Sequence, residues 1–137
     1  MRNVLVDTSA IYALVDSNDP NHSAAAAFVR REGVHLTLVL SDYVFSETMT
    51  LVKARQGADA AVQVGRRLRT SRMYRLVYLT AEDEQSTWNL FCKYIDKGWS
   101  YVDCSCLALM RSLGINEAFA FDRHFNQMGI LCLPLPK

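Results

Sequence analysis

Asn3-Val4-Leu5-Val6 runs straight into Asp7-Thr8-Ser9 within the first ten residues. Apolar, β-branched side chains in a short run favour a buried strand. A carboxylate followed by two hydroxyl residues stops such a run and supplies side chains that cap a helix. The stretch therefore predicts a strand over residues 3–6, a turn, and a helix over about 9–16. The same order recurs downstream. A turn cluster at Ser17-Asn18-Asp19-Pro20 precedes an alanine-rich helix over about 21–32, stopped before Gly33. Residues 35–40 (HLTLVL) read as the second strand, with Ser41 as the cap of a helix that carries Val44, Phe45, Thr48, Met49, Leu51 and Val52 on one face. Gly57 breaks that helix, and another follows to about Thr70.

Residues 74–79 (YRLVYL) read as a third strand. Thr80-Ala81-Glu82-Asp83 then opens a helix ending near Gly98, its first-turn acids matching the helix dipole. Ser100-Tyr101-Val102-Asp103 opens a nearly all-apolar helix ending at Gly114. Residues 118–121 and 130–133 read as two more strands, the last terminated by Pro134 and Pro136. Strands separated by helical stretches of this length imply βαβ units, hence an α/β fold with a parallel sheet covered by helices on both faces. No repeat, linker or glycine-rich phosphate loop interrupts the pattern.

The bulk properties agree with one globular domain over residues 1–137. Half of the residues are hydrophobic and 21% are charged. No apolar run is long enough to span a bilayer, and the first residues lack the features of a signal peptide. A cytoplasmic, non-membrane protein is expected. The four cysteines, Cys92, Cys104, Cys106 and Cys132, do not pattern as a disulfide framework or a zinc set and are expected as buried thiols. Net charge is +1, so any polyanion must be held by a local basic patch or by bound cations.

Ligand sites of open parallel sheets form at the carboxyl ends of the strands. Asp7 stands at the end of the first strand and Asp122 at the end of the fourth. Asp103 begins the helix that precedes the fourth strand, and Glu47 borders the apolar face of the helix after the second. Each acid alone has a structural explanation. Asp7 and Asp122 suit helix caps, Ser100-x-x-Asp103 suits a capping box, and Glu47 suits a half-exposed helix position. Joint placement argues for more. Two like charges about 4 Å apart repel by about 4 kcal/mol at an effective dielectric of 20. A group of carboxylates must share protons or recruit a cation, and hard oxygen ligands suit Mg²⁺ or Mn²⁺. Such ions polarise a phosphodiester, lower the pKa of a bound water and stabilise the leaving oxygen, so in-line hydrolysis needs no protein nucleophile.

These residues carry a family resemblance. Val4-Leu5-Val6-Asp7-Thr8-Ser9-Ala10, Ser41-Asp42-Tyr43-Val44-Phe45-Ser46-Glu47, Ser100-Tyr101-Val102-Asp103-Cys104-Ser105 and Ala118-Phe119-Ala120-Phe121-Asp122-Arg123-His124-Phe125 together resemble the four acidic segments of PIN domains, in order along the whole chain. The resemblance implies a three-layer α/β/α sandwich with a five-stranded, mainly parallel sheet. It implies a Mg²⁺- or Mn²⁺-dependent endoribonuclease with Asp7, Glu47, Asp103 and Asp122 as its acidic quartet. Asp7, Asp103 and Asp122 would bind metal, while Glu47 would bind a second ion or orient water. Ser9 matches the small hydroxyl residue after the first acid and would hydrogen-bond that acid or a phosphate. Relatives often carry a hydroxyl two places before the last acid, where this chain has Ala120. Small PIN proteins of the VapC type are commonly toxins of toxin–antitoxin pairs, which implies an RNA substrate, a homodimer and a cognate antitoxin.

Arg123 and His124 flank the last acid and are placed to touch a substrate phosphate. Arg66, Arg67, Arg69, Arg72 and Arg75 form either an RNA-backbone patch or a solvated helix end. Trp88, Phe91, Tyr94, Ile95 and Trp99 are spaced as a helical stripe expected to pack in the core, the alternative being a dimer or antitoxin surface. Haloacid-dehalogenase chemistry needs an acid at position 9, which is Ser, and a receiver domain needs an acid after the third strand, where Leu79-Thr80 stands. The alternative from another class is a non-catalytic PIN-like module that binds RNA or protein.

Overall fold

A computed structural model describes residues 1–136. Its strands are β1 (Arg2–Val6), β2 (Leu36–Ser41), β3 (Tyr74–Val77), β4 (Glu117–Phe119) and β5 (Leu131–Leu133). Its helices are α1 (Thr8–Val15), α2 (His22–Glu32), α3 (Asp42–Gln56), α4 (Ala58–Thr70), α5 (Ala81–Lys93), α6 (Tyr101–Leu113) and the short α7 (His124–Gln127). The sheet order is β3-β2-β1-β4-β5, and every neighbouring pair is parallel. Val4, Leu5 and Val6 of β1 and Leu38, Val39 and Leu40 of β2 are all fully buried. Continuous burial, in place of alternation, is what a strand covered on both faces requires. The expected α/β/α sandwich is therefore present.

The chain winds from β1 outward through β2 to β3, then crosses back to β4 on the other side of β1. That reversal opens a crevice at the carboxyl ends of β1 and β4. Local capping fixes where helices begin around it. Ser41 Oγ accepts from Val44 N at 3.1 Å to start α3. Thr80 with Asp83, and Ser100 with Asp103, form reciprocal capping boxes at α5 and α6. Gly114 closes α6 in the left-handed conformation, at φ 69°, where a side chain would be strained.

The main core packs α1, α2, α3, α4 and α6 residues against the sheet. Phe119 of β4 is fully buried, with its ring 4.7 Å from that of Phe28 on α2 and 6.0 Å from that of Phe121. A second cluster of Leu90, Trp99, Cys104, Leu107 and Ala108 joins α5 to α6. Tyr12, Val52 and Ala61 join α1, α3 and α4. Among the described residues, no helix is long and apolar enough to cross a membrane.

The structure departs from the sequence expectations at several ends. α5 stops at Lys93 and not near Gly98, so the aromatic stripe is split. Trp99 is buried and packs on Tyr94 at 4.7 Å, but Trp88, Phe91 and Ile95 are exposed. The face of α5 turned inward is the smaller line Asp83, Thr87 and Leu90. β3 ends at Val77 because Leu79 N donates to Asp42 Oδ1 at 3.0 Å instead of continuing the ladder. All four cysteines are free as expected, though Cys92 is exposed and not buried.

Because Phe119 ties the sheet to α2 with no room for water, Phe119→Ala should cost about 3–5 kcal/mol. Urea denaturation should show a lowered midpoint with a nearly unchanged slope. A loss under about 1 kcal/mol would mean that the ring does not anchor the core.

Candidate metal centre

Asp7 follows β1 directly and is the N-cap of α1, with its carboxylate accepting from Ala10 N at 3.2 Å. Ser9 Oγ donates to the same carboxylate, at 2.8 Å from Oδ1 and 3.0 Å from Oδ2. Ser9 Oγ also accepts from Phe121 N at 3.0 Å. That hydroxyl thus joins the ends of β1 and β4, and it explains why β4 stops short of the predicted residue 121. Ala120 is buried, and its N–H donates to Leu133 O at 3.2 Å, so the missing hydroxyl at this position leaves no backbone donor idle.

Asp103 is the third residue of α6 and nearly buried. Its Oδ2 accepts from Ser100 N at 2.9 Å and lies 2.8 Å from His124 Nδ1. Asp122 lies just beyond β4, where its Oδ1 accepts from His124 N at 2.9 Å. The His124 ring nitrogen is also 3.3 Å from Asp122 Oδ1, so one imidazole spans two carboxylates. One ligand atom each from Asp103, Asp122 and His124 fall within 4.8 Å of one another, the one such trio among the described residues.

Asp7 borders this trio. Burial pushes its carboxyl up to about 7 against the opposing hydrogen bonds from Ser9 and Ala10, and the charges of Asp122 and Asp103 push in the same direction as burial. Glu47 sits on α3 with an exposed side chain, held by Thr8 Oγ1 donating to its Oε1 at 2.5 Å. Thr8 in turn accepts from Thr48 Oγ1 at 3.3 Å. The Cys106 thiol lies beneath the rim. Burial chiefly, then the charges of Asp7, Asp103 and Glu47, hold it well above the usual thiol range. One buried group feels three acids from three separate helices or helix starts.

Two of the four predicted acids, Asp103 and Asp122, lie together with His124, Asp7 feels the charge of both, and Glu47 stands outside that cluster on α3. Ser9 touches Asp7 directly, as its position suggested. His124 lies between the acids, while Arg123 beside it is exposed and reaches neither acid. Thr8 escaped the sequence reading. Its signal was a hydroxyl directly after a strand-ending acid, but its partner is 39 residues away. The Arg66–Arg75 group is exposed on α4 and the β3 edge, and Arg69 lies over the Phe45 ring at 5.5 Å.

Comparison with known proteins agrees with this geometry. Residues 4–131 match the PIN domain family model. The 23S rRNA-specific endonuclease VapC20 of Mycobacterium tuberculosis is 33% identical over 129 residues, covering 93% of this chain and 95% of that protein. Ribonuclease VapC26 of the same species is 28% identical over 126 residues, covering 91% of each. The crystal structure of VapC20, a Sarcin-Ricin loop cleaving toxin, superposes with a TM-score of 0.86 at 31% identity, over 93% of this chain and 96% of that one. VapBC2 from Rickettsia felis shares the fold with a TM-score of 0.71 at 11% identity, over 95% of this chain and 96% of that one. A match of this extent, on a chain whose Asp103 and Asp122 cluster with Asp7 beside them, places the protein in the PIN-domain family as a VapC-type member.

Proposed function

We propose that this chain is an endoribonuclease dependent on Mg²⁺ or Mn²⁺, and the toxin of a toxin–antitoxin pair. The observation that carries the reading is the cluster of Asp103, Asp122 and His124, with Asp7 feeling the charge of both acids and buried at a cost that a cation would offset. The donor set fits the ion. Carboxylate oxygens dominate it, and no thiol belongs to the tight trio. Asp7, Asp103 and Asp122 would hold the ion. Bound there, a divalent cation would supply Lewis-acid activation of the phosphodiester and of water.

The remaining roles belong to the chain's own side chains. Ser9 fixes the Asp7 carboxylate from both oxygens. His124 holds Asp103 and Asp122 in register, the kind of support that ligating acids require. Glu47, oriented by Thr8, is poised to hold the attacking water or a second ion. Arg123 projects from the rim, where a guanidinium reaches phosphate oxygens. RNA as the substrate class is supported by VapC20 and VapC26, which are named as an rRNA endonuclease and a ribonuclease. A cognate antitoxin is supported by fold neighbours solved as VapBC assemblies, and a homodimer is proposed with it.

An RNA pool incubated with Mn²⁺ should be cleaved. EDTA or Asp7→Asn should each reduce cleavage to background. Cleavage that survives both would reject the mechanism, and metal-replete protein that binds RNA without cutting it would leave the non-catalytic module.

Asp7 also links stability to pH. The folded protein holds its proton more tightly than the unfolded chain, so its stabilising contribution is full below about 3.8 and is lost as pH rises through about 7. In EDTA at pH 8, Asp7→Asn should therefore melt several degrees above the parent, with the gap closing near pH 4. Mn²⁺ should narrow the gap at pH 8 by stabilising the parent alone. A variant that melts below the parent at pH 8 in EDTA would show that the carboxylate is not strained.

A further inference from the structure

A cleft of about 970 Å³ opens between α2 and the C-terminal strap of residues 134–136. Ala27, Arg30 and Arg31 line one wall, and Phe121, Asn126 and Cys132 line the floor and far side. None of the four acids lines it, and it adjoins the acidic crevice at Ala120 and Phe121. Phe121 is the residue before Asp122, and its N–H is held by Ser9, which also holds Asp7. Cys132 lies within the field of Asp7 and Asp122, which add to burial in pushing its thiol up to about 11.

The lining has the chemistry of a nucleotide site. Arg30 and Arg31 are exposed and have no ion-pair partner among the described residues. Phe121 offers a half-buried ring, and Asn126 an exposed amide. Unpaired bases are recognised by stacking on rings and by hydrogen bonds to their edges, while arginine supplies sequence-independent phosphate affinity. The other arginine group, Arg66 to Arg75, lies at the β3 edge, with β2 and β1 between it and β4.

We propose that this cleft seats the single-stranded RNA next to the scissile bond, with Arg30 and Arg31 on its phosphates, Phe121 stacked on a base and Asn126 at a base edge. The assignment rests on the nuclease reading and adds to it the path of the substrate. A simpler role for Arg30 and Arg31, as last-turn cations on the α2 dipole, predicts a change in stability alone.

The test is fluorescence anisotropy of a labelled single-stranded oligoribonucleotide on the Asp7→Asn background with Mg²⁺, over a range of salt. Arg30→Gln with Arg31→Gln should weaken binding about tenfold and reduce the log–log salt slope by about 1.4, or about 0.7 for each lost single-strand contact. Phe121→Leu, which keeps most of the packing volume, should weaken binding severalfold with the slope unchanged. Arg66→Gln with Arg69→Gln should bind as the background does. In the active protein the Arg30/Arg31 double variant should raise KM and leave kcat within about twofold. Parent-like affinity and slope in that variant, or a loss confined to the Arg66/Arg69 variant, would overturn the cleft assignment while cleavage by the parent upholds the nuclease. A parent protein that neither binds nor cuts RNA would overturn both.

Discussion

Like charges crowded at the carboxyl end of a parallel sheet are the constraint around which this molecule is arranged. β1 is central, and the chain leaves it on one side and returns on the other, so the ends of β1 and β4 meet at an open crevice. Asp7 sits at that meeting point and is nearly buried. A carboxylate in such a place is costly to ionise, and the acids of two further segments raise the cost. Stability here is given up locally, and the surrounding core of fully buried strand residues offsets it.

The chain spends few residues on function alone. Asp7 caps α1 and Asp103 completes the capping box of α6, so both are structural acceptors and candidate ligands. Their backbone bonds pin the carboxylates to helix starts, where rotamer freedom is small. Ser9 does comparable double duty by holding Asp7 with its proton and Phe121 N–H with its lone pair. A single hydroxyl thereby couples the first helical turn to the exit of β4. Preorganisation of this kind is cheaper than ordering free side chains at the moment of binding.

Surface charge follows the same division. With a net charge of +1, the molecule has no global attraction for a polyanion. Asp103 and Asp122 cluster at the crevice with Asp7 beside them, while exposed arginines stand on α2 (Arg30, Arg31), on α4 and the β3 edge (Arg66 to Arg75), and beside the last acid (Arg123). A negatively charged substrate is then repelled by the reaction centre itself unless cations neutralise it. In the proposed function, attraction would come from the flanking arginines, which would make metal and RNA binding physically interdependent.

The strands, helices and caps were legible in the residues because they depend on neighbours a few positions away. Apolar runs set β1 and β2, hydroxyls set Ser41, Thr80 and Ser100 as caps, and the parallel order follows from helices lying between strands. Asp7, Asp103 and Asp122 stood out for the same reason, since each marks the end or start of a local element, whereas Glu47 lies inside α3 and was singled out by its place beside an apolar face. Contacts between distant segments were not legible: Thr8 reaching Glu47 across 39 residues, and His124 reaching Asp103 across 21. The aromatic stripe misled because spacing shows that a helix has an apolar side but not which side is turned inward. Packing of α5 on α6 selected Asp83, Thr87 and Leu90 and left Trp88, Phe91 and Ile95 in water. Periodicity is a property of one segment, whereas burial and convergence are properties of pairs, and pairs exist only once the chain has closed on itself.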